Sequence, residues 1–387
     1  MAHSVLILGG RAPVALDHAR RFARQGWRAV VADSIPCHTA GASRAVCATV
    51  RLAPPRTEPA RFVEDLRQAV HQHRIDLVVP TCEEVFFLSR HRAKLPVTLT
   101  VAVDDFDKLR GLHSKWQFLA LARECGFRVA DSALVDSLDQ ARAWAGATPL
   151  VLKPEYSRFG AHLRLYPQGV PAAAPPLPAH GRWVAQHFVA GPEICSYSIA
   201  HQGRLLAHAA YRPTYRLSQS ASFYFAHHES AAIQHCVETL VARIGFTGQI
   251  AFDWIEADPA HPTVLECNPR ATSGLHLFGL DDAVPAALAG DAAVRDCITP
   301  SEQRPRMITA VMASAGLYDM ARRGRLGEWR RAFASADDVI TRPGDRAPLL
   351  GALRDLAAYG RLALSRRCSL RAATTRDIEW DGEELSP

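Results

Sequence analysis

A chain of 387 residues, 48% hydrophobic and 22% charged, has the composition of a folded protein with two or three lobes and none of the depletion that marks disorder. Its formal charge of +6 comes from basic residues scattered along the chain, with no basic stripe interleaved with aromatics, which argues against a nucleic-acid partner. No apolar run is long enough to span a bilayer, and residues 1–8 lack the charged start and long apolar core of a secretory leader, so a cytoplasmic protein is expected.

Short apolar runs at 5–8, 28–32, 76–80 and 97–103 alternate with amphipathic stretches at 14–25 and 60–73. Strands alternating with helices predict a doubly wound parallel sheet. Gly9-Gly10-Arg11-Ala12-Pro13 stands at the first strand-to-helix turn, the place of a dinucleotide cradle. The Gly-x-Gly-x-x-Gly spacing is absent, however, and a tight turn accounts for the glycine pair. The loop Thr81-Cys82-Glu83-Glu84 ends a strand of this sheet and reads either as a ligand-facing edge or as a helix cap in which Thr81 bonds the backbone near Glu84.

Near residue 110 the pattern changes. A helix at 114–125, capped by Ser114 and stopped at Gly126, leads into strands at 133–135, 150–153, 162–165, 183–188, 194–200 and 204–211. The turn His201-Gln202-Gly203 joins the last two as a hairpin. A loop rich in Pro and Ala at 171–181 reads as a surface connection, and a helix follows at 230–244. Beyond residue 300, stretches at 317–334 and 348–365 are helical, basic and amphipathic; they are expected to pack against the body of the protein, with no membrane partner.

The densest chemistry lies in Phe252-Asp253-Trp254-Ile255 and Val264-Leu265-Glu266-Cys267-Asn268-Pro269-Arg270, which flank a turn at 258–262 and predict a hairpin. A side-chain period of two points Glu266 and Asn268 to one face, and antiparallel pairing brings Asp253 opposite them. Two carboxylates and an amide oxygen suit Mg²⁺, a hard cation that shares its shell with phosphates. A solvent-facing polar hairpin is the plain alternative.

Only four of the 45 basic residues are lysines: Lys94, Lys108, Lys115 and Lys153. A compact ammonium acting as a point charge on phosphate is a task to which arginine is less suited. Lys153 ends a strand beside the loop 155–160, where backbone amides and the ammonium can converge on one anion; a surface lysine before a turn is the other reading. Lys115 stands in the first turn of its helix, where positive charge opposes the helix dipole unless an anion lies nearby. The segment from Gln186 to Glu193, with its Gly191-Pro192 turn, can present backbone groups to a purine edge and a carboxylate to ribose, or be an ordinary strand-turn-strand joint. The nine cysteines include no Cys-x-x-Cys pair and no zinc spacing, and they read as small buried hydrophobes in a reducing compartment.

Taken in order, the helix bearing Lys115, the strand lysine Lys153, the loop after it, the hinge from Gln186 to Glu193, the Asp253 strand and Glu266-Cys267-Asn268-Pro269-Arg270 resemble the ATP-grasp superfamily of carboxylate-amine ligases. The resemblance runs from the start of the chain to about residue 300. It includes the doubly wound domain that precedes the grasp in carbamoyl phosphate synthetase, biotin carboxylase and amino-acid ligases. It implies an α/β and α+β architecture: a Rossmann-like domain over 1–110, a small lobe with the phosphate loop over 111–190, and a large lobe with the metal site over 191–310. Both lobes would carry antiparallel sheets. A helical extension over 311–387 would be available to cap an acceptor site or form a homodimer contact.

The resemblance further implies that Lys115 and Lys153, with Ser157, Arg158 and Gly160, hold the phosphates of ATP. Gln186, His187, Phe188 and Val189 would form the adenine site, Phe188 and Val189 lining it and the His187 and Val189 backbone pairing with the purine edge, while Glu193 binds ribose. Asp253, Glu266 and Asn268 would hold one or two Mg²⁺ ions, with Mn²⁺ able to substitute. Arg270, with Lys153, would stabilise the transferring phosphoryl group. Two departures stand out: the loop has one glycine where many members have several, and Asp253 stands where many have Glu. The implied reaction joins a small carboxylate to an amine through an acyl phosphate on an amino-acid-like substrate. Arg212 and Arg216, near Tyr211 and Tyr215, are either carboxylate binders or solvated surface residues. Competing readings are a carboxylase or carbamoyl-type enzyme working through carboxyphosphate, and an inactive ATP-binding scaffold. The joint presence of Lys153, Asp253, Glu266, Asn268 and Arg270 argues against the scaffold.

Overall fold

Three sheets organise the chain, seen in a computed structural model that describes residues 2–158, 162–178, 181–216 and 222–385. The first is parallel, in the order β3-β2-β1-β4-β5, from β1 (Ser4–Leu8), β2 (Arg28–Asp33), β3 (Val46–Arg51), β4 (Leu77–Val79) and β5 (Thr100–Val101). Helices α1 (Pro13–Arg24), α2 (His38–Gly41), α3 (Pro59–His73) and α4 (Glu84–Arg90) connect its strands. β1 is buried on both faces, with Val5 and Ile7 in one core and Leu6 and Leu8 in another, which is why it reads as an unbroken apolar run. Edge strand β3 alternates in exposure and has no such run, so the sequence pattern misses it; the run at 97–103 yields only the two residues of β5.

After α5 (Phe106–His113) and α6 (Lys115–Glu124), β6 (Arg128–Val129) joins the largest sheet. The second sheet is antiparallel in the order β7-β10-β8-β9, built from β7 (Ser132–Val135), β8 (Leu150–Pro154), β9 (Arg164–Tyr166) and β10 (Trp183–His187). Helix α7 (Leu138–Ala145) packs on it through Ala141 and Ala145, which meet Leu150, Leu152 and Trp183.

The third sheet has eight strands in the order β17-β16-β13-β12-β11-β14-β15-β6, antiparallel except at its two ends. Its members are β11 (Glu193–His201), β12 (Arg204–Arg216), β13 (Ser222–His228), β14 (Gly248–Ile255), β15 (Thr263–Asn268), β16 (Arg306–Met307) and β17 (Asp337–Asp338), besides β6. Helix α8 (Ala231–Ile244) is bounded by the Ser230 cap and by Gly245 in the left-handed region. Then come α9 (Val284–Ala289), the single turn α10 (Thr309–Val311), α11 (Leu317–Arg322), α12 (Leu326–Ser335), α13 (Pro348–Ser365) and α14 (Leu370–Thr375). The helix read over 317–334 is therefore two, parted at Gly324, whose φ of +67° no ordinary helix accommodates.

The last described residues return to the carboxyl edge of the parallel sheet. Trp380 is buried, with Phe86, Phe106, His113 and Tyr156 rings at 4.8–6.0 Å. Arg11 bridges Asp33 and Asp377, its Nη1 donating to Asp377 at 2.7 Å. Its side chain ties up Asp33, the acid a dinucleotide site would turn on ribose. Gly9, at φ +71°, lies where a Cβ would collide with the Thr81 hydroxyl, so packing accounts for the glycine. The extension is thus an internal strap, contacting the first sheet along its carboxyl edge.

Candidate active site

Antiparallel register sets Asp253 of β14 directly opposite Glu266 of β15, with Ala251 opposite Asn268 and a bulge after Asp253. The hairpin geometry thus follows the period-of-two reading. Asn268 Nδ2 lies 3.5 Å from Asp253 Oδ2, and Arg270 Nη2 donates to Asn268 Oδ1 at 3.1 Å. Arg270 Nη1 also donates to the Ala271 carbonyl at 3.2 Å, so the guanidinium is held on its own loop. Among the described residues no cluster of three His, Cys, Asp or Glu side chains has metal-site geometry, and Asn268 presents its nitrogen to Asp253 and its oxygen to Arg270.

Two lysines close on this pair. Helix α6 begins at Ser114, whose Oγ accepts from the Gln117 amide at 3.1 Å and donates to Glu155 Oε1 at 2.5 Å. The Lys115 amide donates to the Glu155 carbonyl, so the helix start is stitched to the loop after β8. Lys115 Nζ is buried, donating to the Ser157 carbonyl at 2.8 Å and standing 3.8 Å from Glu266 Oε2. Lys153, buried at the end of β8, donates to Gln186 Oε1 at 3.0 Å and to the Leu265 carbonyl at 3.2 Å. Burial pulls Lys153 down to about 8 against the opposing attraction of Glu266, and it lowers Lys115 as well. Burial and the Glu266 charge push Asp253 up from the usual carboxylate range. Burial pushes Glu266 the same way, but Lys115 and Lys153 outweigh it and hold that carboxyl low.

At the hinge, Gln186 is buried and also donates to Ser132 Oγ at 3.3 Å. The His187 ring stacks on Trp144 at 4.4 Å, and its amide is already bonded to the Asp131 carbonyl. The Phe188 amide bonds the Pro149 carbonyl while its ring is exposed. The Val189 amide has no protein partner among the described residues, and neither do those of Ala190 and Gly191. Glu193 is paired with Arg216 Nη2 at 2.5 Å. Tyr215, at φ +50°, breaks the alternation of β12 and turns Arg216 toward Glu193. Arg212 alternates to the face opposite Tyr211; the ladder Asp253–Cys195–Tyr211 keeps that residue on the face of Asp253 and Arg212 away from it.

In the loop after β8, Ser157 contributes its carbonyl to Lys115, and Gly160 lies outside the described residues. Arg158 is buried, its Nη1 3.3 Å from Glu83 Oε2 and its Nε 3.9 Å from Glu379. Glu83 is fully enclosed: it accepts from the Trp380 amide at 3.1 Å, and Arg270 Nε stands 4.0 Å from its other oxygen. That bridge between the parallel sheet, the loop and Arg270 is absent from the sequence reading, although the loop containing Glu83 attracted notice there. The cap expected of Thr81 is reversed, since Glu84 Oε1 accepts from the Thr81 and Cys82 amides and the Thr81 hydroxyl donates to the Leu8 carbonyl. Of the nine free cysteines, only Cys195 and Cys267 are buried, six are half-buried, and Cys47 is exposed. Burial pushes the Cys195 and Cys267 thiols well up, which removes them as thiolate nucleophiles at neutral pH.

No family model and no curated protein matches the sequence. Among solved structures, the chain is similar to N5-carboxyaminoimidazole synthetase from Staphylococcus aureus at 14% identity and TM-score 0.57, over 79% of this chain and 82% of that one. It is similar to L-amino acid ligase from Bacillus licheniformis at 15% identity and TM-score 0.54, over 74% of each chain. It is also similar to the biotin carboxylase domain of Hydrogenobacter thermophilus 2-oxoglutarate carboxylase at 12% identity and TM-score 0.57, over 77% and 71%. The chain has the ATP-grasp fold that these structures share.

Proposed function

We propose that this protein is an ATP-dependent ligase that activates a substrate carboxylate as an acyl phosphate and couples it to an amine. The observation that carries the reading is the convergence of two buried lysines, Lys115 and Lys153, on the paired carboxylates Asp253 and Glu266, with Asn268 and Arg270 alongside. Two buried ammonium groups facing carboxylates form a site that polyphosphate and a divalent cation complete together. ADP in the S. aureus synthetase and MgADP in the H. thermophilus domain support both ligands. In this reading residues 1–110 are the preceding domain, 111–190 and 191–310 the two lobes, and 311–387 the extension.

The donor set fits Mg²⁺: two carboxylates and the Asn268 amide share a face, a flip of that amide would turn its oxygen from Arg270 to the ion, and Asp253 is hard to ionise beside Glu266 without a cation. Bound there, the ion would neutralise phosphate oxygens and orient the transferring group. The chain's own contribution is placed charge. Lys115 and Lys153 would exchange Glu266 for phosphate oxygens, the Val189 amide would meet the adenine edge, and Arg270 would face the charge that develops on the transferring group. An oxygen of the substrate carboxylate attacks the γ-phosphorus as its bond to the β-phosphate oxygen breaks, and ADP leaves. An amine then attacks the acyl carbon, releasing phosphate and a proton and leaving an amide.

The test is incubation with ATP, Mg²⁺ and pools of amino acids, reading nucleotide and coupled products by mass spectrometry. ADP with a new amide supports the ligase; AMP with pyrophosphate refutes the acyl phosphate. A carboxyphosphate route is the second reading, favoured by the bicarbonate held in the H. thermophilus domain. Labelled bicarbonate entering the product would select it. Tight nucleotide binding without turnover would select the scaffold.

A further inference from the structure

Helix α13 is mounted with its small and polar residues inward and its leucines outward. Gly351 faces α2 so closely that a Cβ would collide with the His38 carbonyl, and Pro348 and Asp355 are buried beside it. Asp355 accepts from the His38 and Thr39 amides at 2.9 and 2.7 Å and from the Thr39 hydroxyl at 2.6 Å, and it meets His38 Nδ1 at 2.8 Å. Those contacts fix the rotation of the helix about its axis. Leu349, Leu350, Leu353, Leu356 and Leu364 are left 43–80% exposed, the reverse of a helix that docks by its apolar stripe. Around them stand Arg346, Arg354, Arg361, Arg366 and Arg367, all exposed, while the one acid between 346 and 367 is the buried Asp355.

We propose that this face docks on an anionic lipid surface, its leucines in the boundary between headgroups and acyl chains and its arginines on lipid phosphates. Leucine-rich helices flanked by basic residues bind membranes in this way, lying in the interface plane. The alternative occupants fit less well. A second copy laid on the same face would oppose ten arginines with no exposed acid in this stretch to pair with them. Spanning is not at issue, since no helix among the described residues is long and apolar enough to cross a membrane. Eighteen residues make a rod about 27 Å long, enough for all five leucines to meet a surface together.

The experiment is co-sedimentation of the full chain with vesicles of phosphatidylcholine alone or mixed with phosphatidylglycerol, at low and high salt. Binding is expected on the anionic vesicles only, weakened by salt and abolished in the double variant Leu350→Glu/Leu353→Glu. Arg354→Gln/Arg361→Gln is expected to weaken it about thirtyfold, each basic side chain near an anionic surface being worth a factor of roughly five. Circular dichroism of these surface variants checks that the fold is intact. No binding, equal binding to neutral vesicles, or unchanged binding of the leucine variant would overturn the proposal. A dimer in solution that the leucine variant converts to monomer would assign the face to a second copy. Retention on polyglutamate without vesicle binding would assign it to an acidic protein.

Discussion

Replacing Glu266 by Gln keeps the shape of the site and removes one charge, and the structure predicts opposite effects on two measurable steps. Lys115 Nζ stands 3.8 Å from Glu266 Oε2, a Coulomb attraction of about 4 kcal/mol at an effective dielectric of 20. The Glu266 side chain is 28% exposed, so solvent screening reduces the usable part to roughly 1–2 kcal/mol. Without nucleotide, the variant loses about that much stability, because two buried ammonium groups lose the carboxylate that attracts them most and keep only Asp253 in common. Nucleotide phosphates repair the loss, so ADP in EDTA should bind Glu266→Gln about tenfold more tightly than wild type, the equivalent of about 1.4 kcal/mol. Turnover with Mg²⁺ should fall by about 10²-fold or more, as when a group stabilising transition-state charge is removed. Calorimetric titration of ADP in EDTA and a coupled ADP-release assay measure the two. Equal or weaker metal-free binding would refute the counter-ion role, and turnover within about threefold of wild type would remove Glu266 from the metal site.

Phosphate contact raises the pKa of Lys153 above its unliganded value of about 8, so ADP affinity should fall as pH rises through about 8, by at most about tenfold per unit. Lys153→Met should flatten that slope in titrations across the range. Trp380→Ala empties a buried aromatic site on the strap and should cost about 3–5 kcal/mol, read from the urea unfolding midpoint; a change within about 1 kcal/mol would mean the strap is not part of the folded core. Gly351→Val should lever α13 off α2 and open the segment 346–367 to limited proteolysis, whereas an unchanged digestion pattern would contradict the close packing.

What the sequence made legible was whatever short-range chemistry decides. The Asp253–Glu266 pairing follows from a period of two and one turn, and the Ser114 cap from a serine before an apolar helix face. β3 stayed hidden because an edge strand carries half an apolar pattern, and β13 because its pairing with β12 is set by the larger sheet. Glu83 could be suspected from its loop, but its placement between Arg158, Arg270 and the Trp380 amide depends on segments nearly 300 residues apart. The outward leucines of α13 reverse the usual inference from amphipathic pattern to buried face. Only Gly351 and Asp355, read together with α2, show which side is in.

The strap also bears on the order in which the molecule can be completed during synthesis. Arg11 and Glu83 are made hundreds of residues before their partners Asp377 and Trp380. Until then the carboxyl edge of the parallel sheet lacks a wall, and Arg158 and Arg270 lack the brace that runs through Glu83 to Trp380. A nascent chain can build all three sheets and still lack that brace, so the surroundings of Arg158 and Arg270 are completed only after the sheets are.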